Sequence, residues 1–236
     1  LFQRHADFSL ADELAGKNGT ARYAFTEVAQ PALFAMQVGI TQMLRQRGIT
    51  PSVVAGHSVG EVAAAWASGA LSLAEAVEVI YQRSRLQGTT KGQGQMTAVG
   101  SGETTVRALL DELGLDSVLA IAGINSARGV TVAGHPQSLA RLESALAERQ
   151  IIHKRLDLDY AFHSPAMDSI EDGIRQSLTQ LRPHTTSLPF HSTVSAGILS
   201  GTDLGAEYWW HNIRQPVSFE QTIGGIIDSG INLFIE

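Results

Sequence analysis

Gly56-His57-Ser58-Val59-Gly60 places a serine between two glycines, after the apolar run Val53-Val54-Ala55 and before the helix-forming run Glu61-Val62-Ala63-Ala64-Ala65. Gly-x-Ser-x-Gly between a strand-like and a helix-like stretch is the sequence form of a nucleophile elbow, in which a sharp turn presents the serine hydroxyl. Glycines on either side remove the Cβ atoms that crowd such a turn. The helix that opens after Ser58 directs unfilled N–H groups and the positive end of its dipole at an attacking alkoxide and its oxyanion. A plain strand-to-helix turn can carry the same five residues, so Ser58 needs partners before it reads as a nucleophile.

The first partner is a base, usually histidine. Of the eight histidines, His57 adjoins Ser58, but neighbouring side chains diverge at a sharp turn. His5, His135, His153 and His184 stand in loop-like or edge contexts. Ala161-Phe162-His163-Ser164-Pro165 stops a strand at a proline and places an imidazole where two lobes must join, which makes His163 the first candidate and His191 the second. An ordinary packed or exposed histidine remains the competing reading of both. Arg83 follows the serine by 25 residues, one helix and a turn further on. An arginine lining that cleft would hold a carboxylate bidentately, whereas a solvated helix-end arginine is the simpler reading of Arg83 or Arg85 taken alone.

Those residues need a scaffold, and the chain of 236 residues is long enough for a large domain with an inserted smaller one. Pro31 opens an apolar-faced helix through Leu44, a short strand covers 52–55, and Ser72-Leu73-Ala74-Glu75 has capping-box spacing ahead of another helix. A turn cluster lies at Gly16-Lys17-Asn18-Gly19. From Met96 the pattern reads strand (to Gly100), helix (Thr104–Leu113), strands (Val118–Ile124, Val130–Ala133), helix (Gln137–Arg149) and strand (Ile152–Leu158). That is a split βαββαβ unit set into a larger α/β unit. The expected domains are therefore a large α/β subdomain from 1–94 and 160–236, and a ferredoxin-like small subdomain at 95–159. A helix near 168–181, strands at Phe190–Val194 and Ile231–Ile235, and a helix from Tyr208 complete the reading.

A net charge of −6 without a basic cluster argues against nucleic acid or an anionic membrane as the main partner. No apolar run approaches a membrane span. With zero cysteines there is no thiol nucleophile and no thiolate metal site, and no metal is expected. The lack of cysteine fits a reducing compartment, so a cytoplasmic location is expected.

Gly56-His57-Ser58-Val59-Gly60-Glu61, Gln30-Pro31-Ala32-Leu33, Arg83-Ser84-Arg85-Leu86, Gly94-Gln95-Met96, Tyr160-Ala161-Phe162-His163-Ser164 and Tyr208-Trp209-Trp210-His211-Asn212-Ile213-Arg214-Gln215-Pro216-Val217 resemble, in order and spacing, the acyltransferase domains of type I polyketide synthases. The same family contains the malonyl-CoA:acyl carrier protein transacylases. The resemblance covers nearly the whole chain and implies a hydrolase-like α/β core with a ferredoxin-like insert.

It also implies a ping-pong acyl transfer in secondary-metabolite biosynthesis. Ser58, with His163 as base, attacks malonyl-CoA, and the acyl-serine passes its group to the phosphopantetheine thiol of an acyl carrier protein. By position Arg83 matches the arginine that binds the extender's free carboxylate, Gln30 a glutamine of the acyl pocket, and the Val59 N–H one oxyanion donor. His57, Tyr160 and Asn125 are carried over as further pocket residues. Phe162, before the histidine, matches a malonyl gate where a serine goes with methylmalonyl; Val59 after the nucleophile points the same way. Tyr160 departs from the malonyl pattern, which has histidine there. No cofactor is implied beyond the two substrates. The implied partners are a carrier protein and neighbouring synthase domains such as a ketosynthase, and the domain by itself is expected to be monomeric.

The family's opening Gly-Gln-Gly loop, source of a second oxyanion donor, has no match in residues 1–29, and its Gly-Pro-His does not follow Phe234-Ile235-Glu236. The chain is accordingly expected to be part of a longer synthase. Two alternatives stand beside acyl transfer: a serine hydrolase of thioesterase or esterase type, and a non-catalytic scaffold of the same fold.

Overall fold

A computed structural model describes residues 1–17, 19 and 22–236. In chain order the regular elements are α1 (Leu10–Leu14), α2 (Thr26–Gln46), β1 (Val54–Ala55), α3 (Gly60–Ala67), α4 (Leu73–Gly88), β2 (Gln95–Val99), α5 (Glu103–Glu112), β3 (Leu119–Ser126), β4 (Gly129–Gly134), α6 (Pro136–Glu148), β5 (His153–Arg155), α7 (Glu171–Ser177), β6 (Phe190–Ser192), β7 (Gly197–Leu199), α8 (Ala206–Arg214), β8 (Val217–Ser218) and α9 (Phe219–Asp228). Of the turn cluster expected at 16–19, Asn18 lies outside the described residues.

These elements form two units. One comprises Leu1–Thr89, Ile170–Ser192 and Ile198–Trp210; the other comprises Thr90–Ser169, Thr193–Gly197 and His211–Glu236. In the first, β1 pairs in parallel with β6, Val54 opposite Phe190 and Ala55 opposite His191, in a sheet of order β1-β6-β7. The alanine-rich α3 is buried along nearly its whole length, which small side chains permit. Ser72 and Glu75 form the expected capping box of α4, each side chain bonding the other's backbone N–H.

Helix α2 begins earlier than its proline signals. It starts at Thr26, and Pro31 lies inside it rather than at its first position. Pro31 has no N–H to bond the carbonyl four residues back, but Thr26, Val28 and Gln30 are buried, and that packing stabilises a turn that local signals would not start.

The second unit carries the expected βαββαβ order. Its sheet runs β5-β2-β4-β3-β8, so the four strands of the motif lie in the order fourth, first, third, second. All their pairings are antiparallel, while β8 adds in parallel to β3 through Gly123–Val217 and Ile124–Ser218. Helices α5 and α6 bury Val106, Leu109 and Leu110, and Leu139, Leu142 and Leu146, at the helical period against Val99, Ile121, Val130 and Val132 of the sheet.

Several expected elements differ in extent, among them the strands at 52–55 and Phe190–Val194, which shorten to β1 and β6. The strand at Ile152–Leu158 shortens to β5, with Ile152 82% exposed. The helix at 168–181 becomes a 3-10 turn over Pro165–Ile170 followed by α7. Residues 231–236 form no strand, and Leu233, Phe234 and Ile235 are exposed. An apolar run becomes a strand only where a sheet edge accepts its backbone, and none among the described residues does.

The turn between β1 and α3 is tightly wound. Ser58 has φ of +53°, a left-handed conformation that costs a non-glycine residue about 1–2 kcal/mol. A Cβ on Gly56 would lie 2.2 Å from the Gly60 carbonyl carbon, whereas a Cβ on Gly60 would meet only Gln37 Nε2 at 3.6 Å, an ordinary contact. Only the first glycine of the pair is therefore required for space. Gly56→Ala is expected to lower unfolding stability in urea by about 3 kcal/mol or more, and Gly60→Ala to leave it unchanged or raise it by up to about 1 kcal/mol; equal losses in the two would contradict this geometry.

Candidate active site

Ser58 sits half-buried between β1 and α3. The bonds Gly60 N–H to His57 O (2.9 Å), Glu61 N–H to Ser58 O (3.0 Å) and Val62 N–H to Val59 O (3.1 Å) wind the chain tightly into the helix. The Val59 N–H stands at that helix's N-terminal end, where donors lack an intrahelical acceptor. His57 is exposed beside it.

Arg83 reaches the serine from α4. It is 2% exposed, and its Nη2 donates to Ser58 Oγ at 3.0 Å. Its Nη1 donates to Gln87 Oε1 at 2.9 Å and also to Gln30 Oε1. Gln30 Nε2 in turn donates to Gln87 Oε1 at 2.8 Å and to Thr26 Oγ1 at 2.5 Å. Arg83 is thus no solvated helix-end residue, while Arg85, two positions on, is exposed and bonds Gln82. Burial lowers the Arg83 guanidinium to about 9, and the Glu61 carboxylate pulls in the opposite sense. The group stays charged at neutral pH.

Glu61 itself is fully buried and accepts from Tyr208 Oη at 2.6 Å; the same hydroxyl lies 2.8 Å from Ser192 Oγ. Burial, with the Glu61 charge beside it, pushes the Tyr208 phenol well above its ordinary value, so it remains a hydrogen-bond donor. A buried polar network of Arg83, Glu61, Tyr208 and Ser192 therefore surrounds the elbow. Sequence reasoning missed Gln87, Glu61 and Tyr208 as members. Only Gln87 carries a local signal, standing one helical turn from Arg83.

In the second unit His163 is 6% exposed, has φ of +56°, and its Nδ1 is 2.8 Å from the Gln215 carbonyl oxygen. A carbonyl only accepts, so Nδ1 carries the proton and Nε2 is left as the basic nitrogen. Asp168 pairs with Arg214, and the carbonyl takes the orienting place that a carboxylate fills in a triad. Ser164 Oγ ties down this turn through Ala161 O (2.6 Å) and Ala166 N–H (3.2 Å). Tyr160, 2% exposed, stacks on Phe162 with ring centroids 4.9 Å apart and planes 11° from parallel. Phe162 packs half-buried against the cluster of Met96, Ala122, Ala133 and Ala161. Asn125 lies on β3, its Nδ2 donating to Thr131 Oγ1 at 3.1 Å.

Four of the other histidines have partners elsewhere. His5 pairs with Glu78 at 3.2 Å, His184 with Glu75 at 3.6 Å, and His135 caps α6. His153 contacts the Ile151 carbonyl. His191 is buried on β6, where desolvation lowers its pKa.

Comparison with known proteins places this geometry in a family. The acyl transferase domain model matches residues 1–236. The chain is 35% identical over 230 residues to erythronolide synthase EryA2 of Saccharopolyspora erythraea, covering 98% of this chain and 6% of that protein. It is also 35% identical over 235 residues to mycoketide-CoA synthase of Mycobacterium tuberculosis, covering 100% and 6%. Among solved structures, the acyltransferase domain from module 8 of the salinomycin polyketide synthase superposes with a TM-score of 0.92 at 35% identity, covering 97% of this chain and 53% of that one. The malonyl CoA-acyl carrier protein transacylase from Burkholderia pseudomallei does so at 0.83 and 26%, covering 97% and 82%. The chain thus spans a small part of the curated relatives it matches and about half of the first of these solved domains. Both structures bear out the α/β architecture with its ferredoxin-like subdomain. The chain belongs to the acyl transferase domain family and is an acyltransferase of the polyketide synthase type.

Proposed function

We propose that this domain transfers a malonyl group from malonyl-CoA, through an ester on Ser58, to the phosphopantetheine thiol of an acyl carrier protein. Ser58 Oγ attacks the thioester carbonyl as its proton passes to His163 Nε2. The tetrahedral oxyanion is met by the Val59 N–H. Collapse expels the CoA sulfur, which takes the proton back from His163. The carrier thiol then repeats the steps in reverse, losing its proton to His163 as Ser58 leaves.

The observation that carries the reading is the 3.0 Å between Arg83 Nη2 and Ser58 Oγ. A cation this close to the nucleophile binds a carboxylate only if the acyl group is short. In a malonyl thioester, one carbon separates carboxylate and reacting carbonyl, placing their carbons about 2.5 Å apart. That span lets one end meet the guanidinium while the other meets the hydroxyl. A simple fatty acyl group offers the buried cation nothing.

Phe162 is the proposed limit on an α-substituent, held in place by its stack on Tyr160. Gln30 orients Arg83, and His57 and Asn125 are proposed to contact the substrate further from the reacting bond. The chemistry requires no cofactor beyond the two thioester carriers. The proposed partners are a carrier protein and adjoining synthase domains such as a ketosynthase, and the proposed location is cytoplasmic. No helix among the described residues is long and apolar enough to cross a membrane.

Intact-mass measurement after exposure to malonyl-CoA tests the reading. The unmodified chain is expected to gain a malonyl-sized adduct and Ser58→Ala none; release to water in the presence of carrier protein, in place of transfer, would instead mark a hydrolase. Arg83→Ala is expected to load malonyl-CoA about 10- to 100-fold less efficiently, the worth of a hydrogen bond to a charged group, with a raised KM. Undiminished loading would remove the carboxylate assignment. For Phe162→Ser, the methylmalonyl-to-malonyl loading ratio is expected to rise about tenfold, the scale of discrimination by a single methylene; an unchanged ratio would remove the gate.

A further inference from the structure

Gln87 holds the centre of the polar ladder between α2 and α4. Residues 83 and 87 lie one turn apart on α4, as Thr26 and Gln30 do on α2, so each helix offers two polar side chains on one face. Gln87 is 1% exposed, and its Oε1 accepts from both Arg83 Nη1 and Gln30 Nε2. Gln30 Oε1 accepts from that same Nη1. An Nη nitrogen carries two hydrogens, so the two amide oxygens commit both hydrogens of Nη1. Nη2 is then the nitrogen that meets Ser58. Because a guanidinium is planar, pinning Nη1 on two acceptors fixes the roll of the plane and the place of Nη2.

We infer that Gln87 is a positioning residue for acyl selection: by pinning Nη1 it fixes the separation between the carboxylate site at Nη2 and Ser58, and so favours one intervening carbon over two. The inference rests on Arg83 being the carboxylate site. A glutamine that served packing alone would alter stability and the loading of every acyl group together. A positioning glutamine alters the ratio between acyl groups of different length.

The test loads the full chain with malonyl-CoA or succinyl-CoA and follows initial rates of the Ser58 adduct by intact mass. Gln87→Met keeps the length and removes the acceptor. Its malonyl loading is expected to fall about tenfold, the loss of one hydrogen bond to a charged group, with the malonyl-to-succinyl ratio falling alongside. Gln87→Glu places a carboxylate on Nη1 that competes with the substrate for the cation, and malonyl loading is expected to fall on the order of 100-fold. An unchanged malonyl-to-succinyl ratio in Gln87→Met overturns the inference. So does malonyl loading by Gln87→Glu within about threefold of the unmodified chain, which decides the matter where Gln87→Met does not fold. Arg83→Ala, measured alongside, separates the two claims. Undiminished malonyl loading there removes the carboxylate site and the role of Gln87 with it, whereas a loss there with no change of ratio in Gln87→Met removes the role of Gln87 alone.

Discussion

Taking a guanidinium out of water costs several kcal/mol unless its N–H groups find acceptors and its charge a counterpart. Arg83 has both. Two glutamine oxygens accept from Nη1, the Ser58 hydroxyl oxygen accepts from Nη2, and the buried Glu61 carboxylate acts on the charge. Each partner comes from a different place in the fold: Gln30 from α2, Gln87 from α4, and Ser58 and Glu61 from the turn into α3. The cation therefore ties the relative positions of three helices to Ser58. A shift in any of them strands a buried donor or acceptor, at a cost of about 1–3 kcal/mol.

The elbow depends on the same packing. A left-handed serine persists only where its surroundings over-determine it, and here the restraints come from both ends of the turn. Upstream, the parallel pairing of β1 with β6 fixes the entry. Downstream, Glu61 is anchored by Tyr208, whose hydroxyl also reaches Ser192 on β6, so the first turn of α3 is bonded back to the strand beside β1. The strained residue and the charged residue thus share one set of supports, and the energy that holds the strain is spread over buried hydrogen bonds rather than stored in the turn alone.

What the sequence disclosed follows from the range of each interaction. The elbow, the capping box and the βαββαβ order are set by residues a few positions apart, and all are legible as local pattern. The choice between Arg83 and Arg85 is not, because both lie in the last turns of one helix and only tertiary packing buries the first and exposes the second. Glu61 and Tyr208 pair across 147 positions, and Gln30 and Gln87 across 57; without an alignment no property of either residue marks its partner. The second glycine of the elbow shows the limit of motif reading in the other direction, since its pattern implies a steric need that the backbone does not impose. Pro31 and the run at Ile231–Ile235 show it again. A start signal is overridden where earlier residues are buried, and an apolar run stays irregular where no edge receives it.

The orienting group behind His163 bears on the proposed chemistry. A carboxylate at Nδ1 would stabilise the imidazolium that forms when Nε2 takes a proton, and would make that nitrogen more basic. A carbonyl fixes the same tautomer and ring orientation with only a dipole. The imidazolium is then less stabilised, and its proton is more readily returned. In acyl transfer between two thioester carriers each half-reaction needs that return, first to the departing CoA sulfur and later to the serine. The CoA sulfur that leaves in the first half-reaction and the carrier sulfur that enters in the second are thiols, with an ordinary pKa near 8.5 for a side-chain thiol, whereas Ser58 is the alcohol that enters first and leaves last. The proton-transfer demand is therefore small at the sulfur and falls mainly on Ser58, to which a carbonyl-oriented imidazole must return its proton.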